Sequence, residues 1–478
     1  MMIKFDNDFT MTIGGKSVSG EASFEVVNPA TEQVVGFAPD CSAGELDQAV
    51  AAARAAFQGW SALPIADRQR LIVQMADLIE ANIEALKFLL TSEQGKPLMD
   101  AATEVRGTAY WLRETATLSL PEIIGEDGPE RRSITQHVPL GVVAAIPPWN
   151  YPLNLAAFKL APALLAGNTV VLKPSPFTPL TTLKVGELLA NVLPAGVLNV
   201  ISGGDALGPR MTAHPGFDKI SFTGSTPTGR KVMASAAATL KRVTLELGGN
   251  DAAIVLPGVD IQKTAQSLFW AAFANSGQIC LATKRIYIHR DVYEPIKAAM
   301  VAIAQSTVVG NGAHQGTQLG PISNRPQYDR VVDLIRDSKS QGYVFATGDV
   351  PEKTTGYFVS PTIIDNPPES ARIVQEEQFG PIIPLLMFDD VETAIAQVNA
   401  SEFGLGASIW SPDIEAALAI AKRIQSGTVW INETMHLSPL VAFAGHKQSG
   451  IGCEGGQEGL LEYTAPQTIT VKREAAFT

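Results

Sequence analysis

Hydrophobic spacing divides the chain into stretches of different period. After a short strand-like region, Ser42 followed by Glu45 forms the pairing in which a hydroxyl and a carboxylate cap each other's backbone N–H groups, so a helix is expected to start there. Leu46, Val50, Ala53 and Phe57 then recur at helical spacing up to Gly59, and a second helical pattern runs from about Ala66 until Gly95-Lys96-Pro97 stops it. The opening third is therefore predicted to be mainly helical.

From residue 142 the pattern changes to short, continuously apolar runs at 142–146, 169–173, 197–201, 219–223 and 243–247. Runs of that length read as strands buried on both faces, and the helical segments between them make βαβ units. They imply a parallel, helix-covered sheet whose ligand lies beyond the carboxyl ends of the strands. Beyond Gly248-Gly249 a second alternation begins, with strand-like runs at 252–256, 285–289, 381–387, 407–410 and 428–431. Residues 119–139 alternate polar and apolar (Ser133, Ile134, Thr135, Gln136, His137, Val138) in hairpin fashion. A hairpin that buries so little by itself is a candidate for pairing across subunits. The fold class is therefore α/β, with two doubly wound parallel domains and a small β element for oligomerisation.

Composition narrows the functional classes. With 36 Lys and Arg against 48 Asp and Glu, the net charge is −12 and no basic block exists to neutralise a phosphate backbone, so nucleic acid and anionic membrane are not expected partners. No apolar run approaches the ~20 residues that a bilayer crossing needs. The N-terminus lacks the basic head and apolar stretch of a signal peptide, which makes the cytoplasm the expected location. Cys41, Cys280 and Cys453 form no CxxC, and the six histidines show no ligand spacing, so neither a disulfide framework nor a metal is expected.

Several short segments carry chemistry. Gly450, Gly452 and Gly455 fit G-x-G-x-x-G, but no apolar strand precedes them and no acidic residue follows at the distance that holds a ribose, so they read as a glycine-rich loop. A better phosphate cradle is Phe222-Thr223-Gly224-Ser225-Thr226-Pro227-Thr228-Gly229, where a strand gives way to a helix. Glycine lets backbone approach, and the helix start supplies free N–H groups and positive dipole, although simple capping by Ser225 is an equal reading. Cys280 follows the small polar run Asn275-Ser276-Gly277-Gln278-Ile279; a cysteine there is either a small hydrophobe or a nucleophile. Glu246 sits inside an apolar strand just before two glycines, where a carboxylate costs free energy unless it is paired or working. Pro147-Pro148-Trp149-Asn150-Tyr151-Pro152 makes a rigid elbow that holds an amide at the same sheet edge, a fitting place for an oxyanion donor. Lys173-Pro174-Ser175 puts a cation at that edge too.

Taken in order, 148–152, 173–175, 222–226, Leu245-Glu246-Leu247-Gly248-Gly249, Gly277-Gln278-Ile279-Cys280, Glu376-Glu377-Gln378-Phe379-Gly380-Pro381 and Lys447-Gln448-Ser449-Gly450 resemble the motifs of the aldehyde dehydrogenase superfamily, from Val27-Asn28-Pro29-Ala30 to the closing strand. The resemblance implies a small-molecule aldehyde oxidised to a carboxylic acid with NAD (or NADP) as hydride acceptor, without coenzyme A. Cys280 would be the nucleophile, Glu246 the general base, and Asn150 with the Cys280 backbone N–H the oxyanion hole. Trp149, Lys173, Ser175, Gly224, Ser225, Glu377 and Phe379 would bind the cofactor. Tyr151, Leu155, Phe158, Ile279, Leu281, Leu437 and Phe443 would line the substrate pocket. By the same likeness, 1–118 and 141–246 would bind the dinucleotide, 247–446 would carry the cysteine, and 119–140 with 462–478 would build a homodimer or homotetramer.

The chain departs from that pattern in three places. Pro176 stands where many relatives have a ribose-gripping glutamate, which opens the question of NADP; Asp205 would repel a 2′-phosphate and Arg210 would attract one, and NAD is favoured. Ala444 replaces a glycine, and Cys453 stands where arginine is common and reads as structural. No Lys or Arg lies between Glu433 and Phe443 to grip a second carboxylate, so uncharged aliphatic or aromatic aldehydes are expected. Two rivals remain: a coenzyme A-acylating enzyme, against which Glu246 argues, and an inactive member with a binding or structural role, against which the set Asn150, Glu246 and Cys280 argues.

Overall fold

The computed structural model describes residues 8–348 and 355–473; the expectations for residues 1–7 and 474–478 fall outside the described residues. The capping box forms as read: Ser42 Oγ accepts from the Glu45 N–H, Glu45 Oε2 accepts from the Ser42 N–H, and α1 spans Ala43–Ser61. The single long helical pattern that follows is in fact two helices, α2 (Ile65–Ala81) and α3 (Ile83–Gln94). Asn82, at φ −108° and ψ 16°, breaks the helix while the apolar spacing continues across it, so periodicity alone sees one element. Gly95 ends α3 at φ +97°, and a β-carbon there would meet the rings of Pro321 and Pro29. The next helix, α4, spans Leu98–Thr115.

Numbered in chain order, the N-terminal strands are β1 (Met11–Ile13), β2 (Lys16–Val18), β3 (Ser23–Val27) and β4 (Val34–Pro39), and the hairpin strands are β5 (Ile123–Asp127) and β6 (Arg131–Pro139). The five apolar runs become β7 (Val142–Ile146), β8 (Thr169–Leu172), β9 (Leu198–Val200), β10 (Lys219–Thr223) and β11 (Arg242–Glu246). They lie parallel in the order β9-β8-β7-β10-β11. The order reverses at β7, so a crevice opens between the carboxyl ends of β7 and β10. The sheet is not wholly parallel: β1 and β2 add antiparallel beside β9, and β21 (Gly450–Ile451) beside β11. Both edges of the parallel set are thereby covered. A β-carbon on Gly450 would lie 2.3 Å from the Leu245 carbonyl oxygen, so the glycine-rich loop is built for close approach to β11.

β10 corrects another reading. It is buried on both faces yet alternates: Lys219, Ser221 and Thr223 share one face and bond to Thr244 Oγ1 (2.6 Å), the Tyr463 hydroxyl (2.9 Å) and Lys159 Nζ (2.7 Å). The alternation is present in Lys219-Ile220-Ser221-Phe222-Thr223 itself, and the partners that allow its polar face to be buried come from other segments.

The second sheet has the order β14-β15-β16-β13-β12-β18-β19, with β12 (Asp251–Val255), β13 (Thr283–His289), β15 (Thr362–Asp365), β16 (Ile382–Phe388), β18 (Gly406–Trp410) and β19 (Thr428–Ile431) parallel and β14 (Val344–Phe345) antiparallel at one edge. Of these, β14 and β15 escaped the sequence reading. β5, β6 and the C-terminal β22 (Thr464–Lys472) form a separate antiparallel sheet, with hydroxyl pairs Ser133–Thr470 and Thr135–Thr468 across the strands. Helices cover both faces of the second sheet with separate apolar cores, while α1 and α5 (Pro152–Leu165) pack on the first and α2 and α4 pack on α5 as a further helical layer. Among the described residues no helix is long and apolar enough to cross a membrane, and no group of three His, Cys, Asp or Glu is placed to hold a metal.

Candidate active site

The chain crosses from Glu246, the last residue of β11, to Asp251, the first of β12, through residues 247–250 alone. That short crossing sets the carboxyl edge of the first sheet against the amino edge of the second. Between them lies a cleft of about 410 Å³ whose walls include Trp149, Asn150, Gly224, Ser225, Glu246, Cys280, Glu377 and Phe379. Its place at the β7/β10 reversal is where ligands of open parallel sheets bind.

Cys280 is delivered to this cleft by an unusual turn. Asn275, Ser276 and Gly277 have φ of +51°, +55° and +73°, and the strain of two non-glycine residues is held by Ser276 Oγ donating to the Gly320 carbonyl at 2.7 Å. A β-carbon at Gly277 would sit 2.3 Å from the Gly380 oxygen, so only glycine fits. Asn150, buried, donates from Nδ2 to the Gln278 carbonyl at 2.8 Å, which fixes the amide orientation and leaves its second N–H.

Glu246 is 4% exposed, and neither of its carboxylate oxygens has a hydrogen-bond partner among the described residues. Burial pushes its carboxyl up to about 8; the carboxylates of Glu454 and Glu377 add to the rise, while Lys159 and the Cys280 thiol oppose it. Burial, and next the Glu246 charge, likewise hold the Cys280 thiol well above its ordinary range, with Lys284 pulling the other way. The resting site is thus a neutral thiol beside an acid poised near neutrality. A carboxylate whose proton affinity is raised in this way is the better base for taking up the thiol proton as the sulfur bonds to a carbonyl carbon.

The residues assigned to cofactor binding divide. Trp149 and Phe379 meet edge to face with centroids 5.4 Å apart. Glu377 Oε1 accepts from the Gly249 N–H at 3.0 Å, and its carboxylate lines the cleft, where it suits ribose hydroxyls. Gly224 and Ser225 line the cleft at the start of α8 (Thr226–Ala237), but fewer N–H groups are free there than the sequence suggests. Ser225 Oγ accepts from the Thr228 N–H (3.4 Å) and pairs with the Thr228 hydroxyl (2.9 Å), and Pro227 has no N–H. Capping and cradle coexist. Lys173 and Ser175 lie on the same sheet edge outside this cleft. Burial lowers the Lys173 ammonium to about 8, against the raising effect of Asp205 and Asp40.

The expected substrate residues also divide. Ile279, Leu281, Leu437 and Phe443 gather with Leu405, Trp430 and Met435 in an apolar cluster that includes Cys280, and Leu155 lines the cleft itself. The Tyr151 ring lies 3.6 Å from Lys96 Nζ. Phe158 stacks on Trp111 at 3.5 Å in the apolar core of the first sheet, the cluster to which Leu155 belongs and against which Tyr151 and Leu437 pack.

Several functional side chains escaped sequence reasoning. Lys159, fully buried, bridges Thr223 Oγ1 and Glu454 Oε1, each at 2.7 Å. Lys284 Nζ is bonded to the Ile279 carbonyl (2.9 Å) and lies 3.6 Å from Glu377. Arg230 and Arg330 bring cations to the cleft. A buried lysine in the middle of the apolar α5 was the one signal available in advance.

The Aldehyde dehydrogenase family profile matches residues 16–469. The chain is 41% identical over 467 residues to aldehyde dehydrogenase LUC3 of a Fusarium species, covering 97% of this chain and 99% of that one. It is 39% identical over 481 residues to phenylacetaldehyde dehydrogenase of Pseudomonas fluorescens, covering 96% and 95%. Among solved structures, the NAD+ complex of aldehyde dehydrogenase from Bacillus cereus superposes with a TM-score of 0.95 at 36% identity, covering 98% of this chain and 97% of that chain.

Proposed function

Because the chain belongs to the aldehyde dehydrogenase family, we propose that it oxidises an uncharged aliphatic or aromatic aldehyde to the carboxylic acid, with NAD as acceptor and Cys280 as nucleophile. The observation that carries this reading is the meeting, at one cleft, of the Cys280 sulfur, the Asn150 amide and the unpartnered Glu246 carboxylate. An aldehyde cannot lose hydride until something adds to its carbonyl. The Cys280 sulfur bonds to the carbonyl carbon while the thiol proton passes to Glu246, directly or through water. The oxyanion so formed is held by the free Asn150 N–H and the backbone N–H of Cys280. Bound NAD supplies the acceptor for the hydride that leaves this carbon, and a thioester on Cys280 remains. Glu246, once deprotonated, takes a proton from water; the hydroxide adds to the thioester carbon, and collapse breaks the carbon–sulfur bond to release the acid.

Trp149, Phe379, Glu377, Gly224 and Ser225 would hold the dinucleotide, with Lys173 and Ser175 toward its adenosine end. Asp205 and Asp40 near Lys173 weigh toward NAD over a 2′-phosphorylated cofactor, against the opposing charge of Arg210, which also reaches this region. The apolar cluster around Cys280 favours substrates without a second charge. The test is to follow NADH and identify the product with octanal, benzaldehyde and succinic semialdehyde, with and without coenzyme A. Free acid without coenzyme A and higher kcat/KM for the first two are expected; strict dependence on coenzyme A, or a large preference for the semialdehyde, contradicts the reading.

We further propose that the β5-β6-β22 sheet mates with a second copy to give a homodimer or homotetramer, because Ile123, Ile124, Ile469 and Val471 all lie at least half exposed on it. Sedimentation of Ile123→Lys/Ile469→Lys should show smaller particles than the parent; an unchanged size rejects this face.

A further inference from the structure

Asn150 must be aimed to act, yet the elbow around it has little regular hydrogen bonding. Pro147, Pro148 and Pro152 contribute no N–H, and Tyr151, at the N-cap of α5, makes no side-chain cap. The support comes from α4 and the turn before it. Glu104 Oε1 accepts from the N–H groups of Leu153 (3.0 Å) and Asn154 (3.3 Å), capping α5 from outside. Its other oxygen holds Lys96 Nζ at 2.5 Å, and Lys96 in turn donates to the Asn150 carbonyl at 2.9 Å. From the opposite side Asn275 Nδ2 reaches the same carbonyl at 3.2 Å and the Gln278 carbonyl at 3.4 Å, and Gln94 Nε2 bonds Asn275 Oδ1 at 3.3 Å.

Resting on the reading of Asn150 as oxyanion donor, we propose that the Lys96–Glu104 ion pair is a positioning device that sets the aim of Asn150 at the Cys280 adduct. Both side chains of this pair are fully buried. A dry pair of well-packed apolar residues would stabilise a core as well or better, so stability alone gives poor reason for burying two charges. What an ion pair adds is direction: its bonds end on the backbone of Asn150 and on the first free N–H groups of the next helix. Lys96 also seats the Tyr151 ring, the next side chain along. The pair itself touches neither substrate nor sulfur. It holds the donor that does, from a segment rooted by Gly95, whose carbonyl packs against Gly320 of the loop that also anchors Ser276.

The test is a double-mutant cycle on the single-turnover NADH burst with a saturating aldehyde. Asn150→Ala should slow the burst by ~10²–10³, as for loss of one oxyanion donor. Lys96→Met should slow it by about 10–100-fold, with kcat and kcat/KM falling together and the rate of Cys280 alkylation by iodoacetamide, which passes through no oxyanion, unchanged. The decisive result is the combination: Lys96→Met should cost little more once Asn150 is alanine. Full additivity of the two losses overturns the positioning role while leaving Asn150 in place, whereas a fast burst in Asn150→Ala removes the oxyanion reading itself. Lys96→Met strands a buried carboxylate, so thermal unfolding is measured alongside. If that variant does not fold, Glu104→Gln, which keeps the bonds to Leu153 and Asn154 but removes the charge, enters the same cycle with the same criteria.

Discussion

In the first sheet the residues that face the cleft come after strands: Asn150 follows β7, Gly224 and Ser225 follow β10, and Glu246 ends β11. In the second they come before strands, Cys280 preceding β13, Glu377 and Phe379 preceding β16, and Phe403 preceding β18. The two sheets share an architecture and are used at opposite ends. The rule that ligands lie at carboxyl ends of parallel strands describes the first sheet and fails for the second. The reason is topological, since a crossing of residues 247–250 leaves the chain no room to bring the second sheet round by its other edge. Fold-level rules therefore locate half of this site, and the remainder follows from connectivity.

Breaking each half should have a different kinetic signature. The largest loss is expected on the second sheet's side: Cys280→Ala should form no NADH, burst or steady state, with any aldehyde, and residual turnover like the parent's would end the nucleophile assignment. On the first sheet's side, Glu246→Gln should lose both proton transfers: alkylation of Cys280 slows and thioester hydrolysis falls further, so that acyl-enzyme accumulates and is visible by intact mass; unimpaired steady-state turnover would take the base role away from Glu246.

A smaller effect sharpens the comparison through the pH profile. Glu246 works deprotonated, so hydrolysis-limited kcat should rise with pH and level off above about 8. The Glu454 charge raises that carboxyl and Lys159 lowers it, so Glu454→Gln should move the inflection to lower pH and Lys159→Met to higher pH. Displacement of both in one direction, or of neither, would mean that another group governs the profile.

Much of this was legible in the sequence because it was local. The capping box at Ser42 and Glu45, the parallel strands of the first sheet, most of those of the second and the odd placement of Glu246 are each stated within a few adjacent residues. Lys159 with Glu454, and Lys284 with Glu377, were not legible, because each charge is satisfied across a large sequence separation. β10 was misread although its alternation stands in five adjacent residues; what those residues do not show is that Lys219 bonds Thr244, Ser221 meets Tyr463 and Thr223 meets Lys159.

The crossing at residues 247–250 also acts as a leash. Five backbone steps from Glu246 to Asp251, at no more than ~3.6 Å each, keep the two edges within roughly 18 Å however far the remaining contacts loosen. A molecule partly opened by heat or denaturant would thus keep its acid and its sulfur in one neighbourhood, and closure would be a short search within one tethered volume.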